Sequence, residues 1–439
     1  MSTDSEQGSI PVEEVPGANE AQDAHDPTLI PAKNEERIAS LDFVRGLAVM
    51  GILFANIMAF GQPWTAYMYP DAFLVDDGDP TGVWWIAQFV LIDGKMRGLF
   101  TLLFGASMVL FLERAWARGA TRWLQARRLV WLGLFGLVHF FFIWRGDILF
   151  LYAVCGLFAL LLVRLKPLNL FVLGGLGYFF GGLFFAGAMS FSYLAVDTEM
   201  GEKPAFSDLR SQSLSAKAES IKEAATDGKL ISEGDYVGLV ANNFAEHWSD
   251  PLMALFIGVF ETIPLMLLGM ALYKVGVFEG RLNPGKQKLW GWIGLLIGGA
   301  ITLVLALWAR ENGFTYFGNK AAMIGYSVFP RILMVLGMTA LLAVYGLQVR
   351  GWLADRVSAA GRAAFTNYLG TSIVLMFVFH GWALGLYGEL NRPQLYIVAL
   401  LTCGLMLLWS KPWLERFRYG PLEWLWRCLT YGKLFPLRR

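Results

Sequence analysis

Apolar positions in this chain are gathered into long runs, and the polar residues fall mainly between them. A helix needs about 20 predominantly apolar residues to cross a bilayer. About ten runs approach or exceed that length, near 41–62, 84–112, 128–145, 147–164, 168–195, 252–275, 289–309, 321–347, 364–387 and 394–410. The pattern predicts an all-α, polytopic membrane protein with about ten transmembrane helices. The second run is interrupted by Asp93, Lys95 and Arg97, so it reads either as one tilted helix or as an interfacial piece followed by a span.

The loops between the runs give the orientation, because Lys and Arg concentrate on the cytoplasmic side. The segment ERAWARGATRWLQARR carries Arg114, Arg118, Arg122, Arg127 and Arg128, which places it inside. One span earlier, PDAFLVDDGDP is acidic and without a base, as an outer loop should be. Further on, VRLKP, YKVGVFEGRLNPGKQK, QVRGWLADRVSAAGR and the C-terminal tail fall inside in turn, and all are basic. Both termini are then cytoplasmic. The expected divisions are a disordered cytoplasmic tail over 1–36, a five-span region over 37–195, and an acidic extracytoplasmic loop or small helical subdomain over 196–250. A second five-span region over 251–411 and a basic amphipathic cytoplasmic tail over 412–439 complete the chain.

Composition agrees with this picture. Only 16% of the 439 residues are charged and 56% are hydrophobic, against about 25% charged in soluble domains. The net charge of +1 matters less than its distribution, and no nucleic-acid partner is expected; the partner is the lipid bilayer. Cys155, Cys403 and Cys428 are scattered without zinc or disulfide spacing, so no metal is expected. No signal peptide is recognisable, which leaves the first membrane helix as its own insertion signal.

Ionisable and amide groups inside spans are costly, and they mark functional interiors by default. At about 1.5 Å of rise per residue, Asn56 lies roughly 21 Å beyond Asp42, in the outer half of the membrane. Asp93, Lys95, Arg97, His139, Arg331 and His380 reach similar depths, with Glu261 nearer the middle. Their convergence predicts a hydrated cavity opening outward. Along the first helix, Asp42, Arg45, Val49, Ile52 and Asn56 recur at steps of three and four, so one face links that cavity to the basic cytoplasmic side.

Several segments together resemble a known family: RIASLDFVRGLAVMGILFANI, GKMRGLFTLLFG, RRLVWLGLFGLVHFFFIWRGDILFLYAVCGL, GRAAFTNYLG and FRYGPLEWLWRCLTYGK. They are similar to the YeiB-like proteins of the bacterial inner membrane, domain of unknown function 418, over everything from Arg37 onward. The Asp-x-x-Arg-Gly start of the first helix, here Asp42, Arg45 and Gly46, is also similar to two groups of membrane acyltransferases. Acyltransferase family three typically carries a histidine where this chain has Asn56. The heparan glucosaminide acetyltransferases share the asparagine but place a histidine shortly afterwards, where this chain reads GQPWTAYMYPDAF.

The resemblance implies an inner-membrane acyltransferase. It would move an acyl group from a cytoplasmic thioester donor, acetyl-CoA or another acyl-CoA, to a small-molecule or glycan acceptor reached from the periplasm. Acyl transfer needs a base working near neutral pH, and histidine is the usual choice. His139 is the candidate base or relay, Asp147 its orienting carboxylate, and Asn56 the group polarising the acyl carbonyl. Asp42 and Arg45 form a helix-start ion pair or, alternatively, a donor cluster. Asp93, Lys95, Arg97, Arg145, Glu261, Arg331 and His380 are candidate substrate contacts, although pairing of the cations with Glu261 or Asp147 would satisfy the same charges. A carrier for a small anionic metabolite, using Lys95, Arg97 and Arg331, is the alternative, and a non-catalytic scaffold the third. Oligomeric state is not legible.

Overall fold

The computed structural model describes residues 39–439, so the tail expected over 1–36 lies outside the described residues. Among these the chain is helical, without a β-strand; a lone antiparallel bridge joins Phe417 to Arg438. The first six helices are α1 (Ala39–Gly61), α2 (Val83–Leu91), α3 (Lys95–Trp116), α4 (Arg122–Phe142), α5 (Leu149–Leu162) and α6 (Pro167–Asp197). Next come α7 (Ser207–Glu233), α8 (Tyr236–Glu246), α9 (Asp250–Lys274) and α10 (Pro284–Glu311). The short α11 (Tyr316–Lys320) runs through a π turn into α12 (Val328–Gln348), followed by α13 (Trp352–Arg362), α14 (Ala364–Phe379), α15 (Arg392–Arg416) and α16 (Pro421–Tyr431).

Each of the expected apolar runs contains a helix, although residues 380–387 of the ninth lie beyond the end of theirs. Six segments are long and apolar enough to cross a membrane, and up to eight if each of two bent pairs counts as one span. α5 is apolar but only 14 residues long. The second run is α2 and α3 in series, broken at Ile92–Gly94 where Gly94 takes φ of 72°, a conformation that favours glycine. α6, α10 and α15 turn apolar residues such as Phe180, Leu296, Val304 and Leu401 outward, and so much exposed apolar surface marks contact with lipid. The protein is a multi-pass membrane protein.

α1 is central, packing against α3, α12, α13, α14 and α15. Its seat on α13 is a backbone contact: a Cβ on Gly46 would lie 2.0 Å from the Val357 carbonyl oxygen, and one on Gly361 would lie 1.8 Å from that of Asp42. α13 and α14 meet at an angle of 87°. At the opposite end, α7 and α8 cover the α4–α5 hairpin as a cap. Tyr236 donates to the Phe142 carbonyl at 2.7 Å, and the Gly381 amide beyond α14 donates to Ile231 at 2.9 Å.

Candidate active site

The hairpin between α4 and α5 brings His139 and Asp147 together. Gly136, one turn before His139, makes this contact feasible, since a Cβ there would sit 2.4 Å from the Phe150 amide nitrogen and 2.8 Å from the Asp147 carboxylate. Asp147 Oδ1 accepts a hydrogen bond from His139 Nδ1 at 2.9 Å, and its Oδ2 accepts the Phe150 amide at 2.8 Å. That second bond supplies a partner to an otherwise orphan N–H at the start of α5. With Nδ1 donating to a carboxylate, Nε2 carries the lone pair. It faces Ser372 of α14, whose hydroxyl oxygen lies 2.9 Å away. The other acceptor within reach of that hydroxyl, the Tyr368 carbonyl, is more distant at 3.4 Å.

Asp147, His139 and Ser372 thus form a linear hydrogen-bonded chain, with His139 fully buried and Ser372 2% exposed. Tyr368, one turn from Ser372, holds the hairpin: its hydroxyl receives the Ile148 amide at 3.2 Å and donates to Gly146 at 3.3 Å. Trp144 stands edge-on to the imidazole at 6.3 Å and stacks on Phe60 of α1 at 4.0 Å. Asn56 lies one turn before Phe60 on the same face of α1. It is half-buried and makes no hydrogen bond among the described residues, and nothing joins it directly to His139.

The other candidate groups do not share one cavity with this chain, contrary to the convergence expected from depth alone. Arg145 is held by Asp227 of α7, whose second oxygen accepts Asn242 Nδ2 at 2.8 Å. His380 lies beyond the end of α14, where burial pushes its imidazole down to about 4. The remaining groups assemble on the far side of α3. Glu261 of α9 receives Arg97 at 2.5 Å and Arg331 at 2.9 Å, and Arg331 also donates to Met323 and Ser327. Asp93 accepts Tyr67 and Gln88 Nε2, each at 3.0 Å, while Lys95 turns back to the Phe89 carbonyl. The physical reason for the separation is the break at Ile92–Gly94, which turns Asp93 and Lys95 onto the open end of α2, where carbonyls lack intrahelical partners. His247, which a loop position would leave at the surface, is instead 4% exposed and bonded to Asp250 at 3.1 Å.

At the end of the molecule carrying the basic loops, Arg45 donates to Asp42 at 3.0 Å and to Ser107 at 2.8 Å. Arg128 of α4 lies within electrostatic range of Arg45 and Arg427. It rests on the Trp426 ring at 4.1 Å, and Arg427 rests on Phe435 at 4.8 Å. The tail helix α16 therefore brings Arg427 near the arginines of α1 and α4, as expected from the basic tail meeting Asp42 and Arg45. Among the described residues no group of three or more His, Cys, Asp and Glu is arranged to hold a metal ion.

Residues 272–433 match the family described as Protein of unknown function (DUF418). The chain is 31% identical to the uncharacterized protein YeiB of Escherichia coli (strain K12), over 91% of this chain and 98% of that one. The chain belongs to the DUF418 family. A second relative, the uncharacterized protein YxaH of Bacillus subtilis (strain 168), is 30% identical over 94% of this chain and 98% of its own. An uncharacterized 39.9 kDa protein from Bacillus acidopullulyticus is 25% identical over 93% of this chain and 97% of its own. No solved structure matches. Ser372, Asp227, Arg128 and Arg427 join the candidate set for this DUF418 protein from the structure; Ser372 sits just after the GRAAFTNYLG segment that carried the resemblance.

Proposed function

We propose that this DUF418 protein is a membrane acyltransferase in which Ser372 carries the acyl group between a thioester donor and a hydroxyl or amine acceptor. The observation that supports the reading is the chain Asp147–His139–Ser372, the arrangement by which a buried carboxylate and an imidazole activate a hydroxyl nucleophile. Ser372 Oγ attacks the thioester carbonyl as its proton passes to His139 Nε2. The carbon–sulfur bond breaks, and the leaving thiolate takes that proton. An acceptor hydroxyl then attacks the acyl-serine and gives its proton to His139, and Ser372 recovers a proton as the ester to it breaks. Asp147 holds the ring and balances the imidazolium in both halves. The uncommitted Asn56 amide is the group offered to the acyl carbonyl.

A cytoplasmic acyl-CoA is the donor, with its phosphates on Arg45, Arg128 and Arg427 and the basic face inside by the distribution of Lys and Arg. From Arg128 to His139 the rise of α4 is about 16 Å, which the donor's extended arm has to cover. The acceptor arrives from the cap side. The carrier alternative asks Lys95, Arg97 and Arg331 to bind an anion, and these are held by the Phe89 carbonyl and by Glu261. Incubation of purified protein with acetyl-CoA, followed by mass spectrometry of the peptide containing Ser372, tests the reading. An acetyl group on Ser372 is expected in wild type and none in His139→Ala, with acetyl-CoA hydrolysis falling about 10³-fold or more in Ser372→Ala. Hydrolysis that survives both substitutions would sink the proposal.

A further inference from the structure

The two helices of the cap carry opposite surfaces. Along α7 the outward positions are mostly polar, among them Gln212, Glu219, Lys222, Glu223 and Lys229, as on a helix in water. Along α8 the pattern is inverted. Val237, Ala241 and Phe244 recur at steps of four and three and so share one face, and that face points away from the protein, with Val237 78% and Phe244 48% exposed. Between Asp235 and Glu246 every exposed residue is apolar. Trp248, in the turn that follows, is 61% exposed. The polar side chains of α8 turn inward instead: Asn242 donates to Asp227 at 2.8 Å and Asn243 to the Phe141 carbonyl at 3.0 Å.

This inverted face is continuous with apolar surface on both sides. Val130, Leu134, Val138 and Phe142 form an exposed stripe along α4. Phe244 extends it, its ring edge-on to Phe142 at 5.6 Å and stacked on Phe141 at 4.2 Å. Beyond Trp248, the exposed Leu252, Met253 and Phe256 open α9, a bent candidate span. The Phe141 and Phe142 carbonyls at the end of α4 have no intrahelical partner, and α8 covers both, through Asn243 and Tyr236. In hydrocarbon such carbonyls must be satisfied by protein, because water is absent. We infer that α8 lies within the leaflet on the cap side, with Val237, Ala241 and Phe244 against lipid acyl chains and Trp248 at the headgroups. Of the two cap helices only α7 then stands in water. The segment 196–250, expected to lie outside the membrane, is in part a membrane element.

The test is spin-label accessibility in the full chain. Cys155, Cys403 and Cys428 are buried, so a nitroxide is attached at a single introduced thiol, with wild type as the labelling blank. Val237→Cys and Ala241→Cys report on the apolar face of α8, and Lys222→Cys reports on exposed α7. Each protein is reconstituted into vesicles of phosphatidylethanolamine and phosphatidylglycerol. Molecular oxygen concentrates in hydrocarbon, whereas a nickel chelate supplied on both sides of the bilayer stays in water. The ratio of oxygen to nickel collision rates is expected to be several-fold higher at positions 237 and 241 than at 222. Two α8 positions are used so that one variant that fails to fold leaves the other to decide. A ratio at 237 and 241 no higher than at 222 puts the helix in water and overturns the assignment. Exclusion of both probes from 237 and 241 also overturns it, because a protein surface then covers the face; spin–spin broadening would identify that surface as a second copy of this chain.

Discussion

Glu261 is shared by two guanidinium groups from different helices, and Glu261→Gln removes the charge while keeping the shape. Leaving a buried charge without its partner costs about 3–5 kcal/mol, but the two arginines are not equally trapped. The Arg97 side chain is 39% exposed and Arg331 only 7%. Arg97 can recover solvent, so its share is on the order of 1 kcal/mol or less. Arg331 keeps its bonds to Met323 and Ser327 but no anion, so it should carry about 3 kcal/mol, the lower end of that range. With an unfolding entropy of about 2.1 cal/mol/K per residue, that amounts to a loss of roughly 3 °C in the melting temperature of a chain this long. Thermal unfolding in one detergent, with Glu261→Gln combined in turn with Arg331→Met and Arg97→Met, separates the two shares. Arg331→Met should restore most of the loss and Arg97→Met little. Equal rescue by both, or no loss in Glu261→Gln, would refute the unequal burial argument.

Asp147→Asn keeps an oxygen for the Phe150 amide but no longer fixes the His139 tautomer; kcat for acyl transfer should fall about 10⁴-fold with little change in the KM for donor, and an unchanged kcat would remove Asp147 from the mechanism. Arg128→Gln with Arg427→Gln should instead raise the KM for acyl-CoA, an effect that weakens as salt rises; a change confined to kcat would argue against a phosphate-binding surface. His380 has its folded value lowered to about 4 against about 6.5 unfolded. The unfolded chain therefore takes up the proton first, and the stability contributed by neutral His380 is present above pH 6.5 and lost as pH falls towards 4. Wild type should lose about 2 kcal/mol between pH 7 and 5 that His380→Phe does not lose, and parallel melting curves would contradict it.

The helices were legible because membrane crossing demands long apolar runs, and every expected run contains a helix. The His139–Asp147 pair was legible too, since eight residues and a tight hairpin join them. Ser372 was not. It lies 233 residues from His139, and a lone serine in an apolar helix looks the same whether it bonds its own backbone or serves a histidine. Depth counting grouped polar residues by height in the membrane but is blind to rotation around the bundle, which is why it merged the Glu261 cluster with the His139 chain. Lys95 escaped for a local reason: the Gly94 break exposes a carbonyl, on Phe89, that the side chain reaches back to cover.

The contact of Gly46 with Val357 and of Gly361 with Asp42 also bears on biosynthesis. The partner of the first helix is made about 315 residues after it, and synthesis proceeds at about 5–20 residues per second. The α1 helix therefore waits roughly 15–60 s for its seat at that speed, with Gly46 and the Asp42 carbonyl still uncovered. For that interval the α13-facing side of α1 depends on neighbouring lipid headgroups, water or assisting proteins. Truncation before α13 should leave α1 in that waiting state permanently, which makes such fragments natural targets for membrane proteolysis.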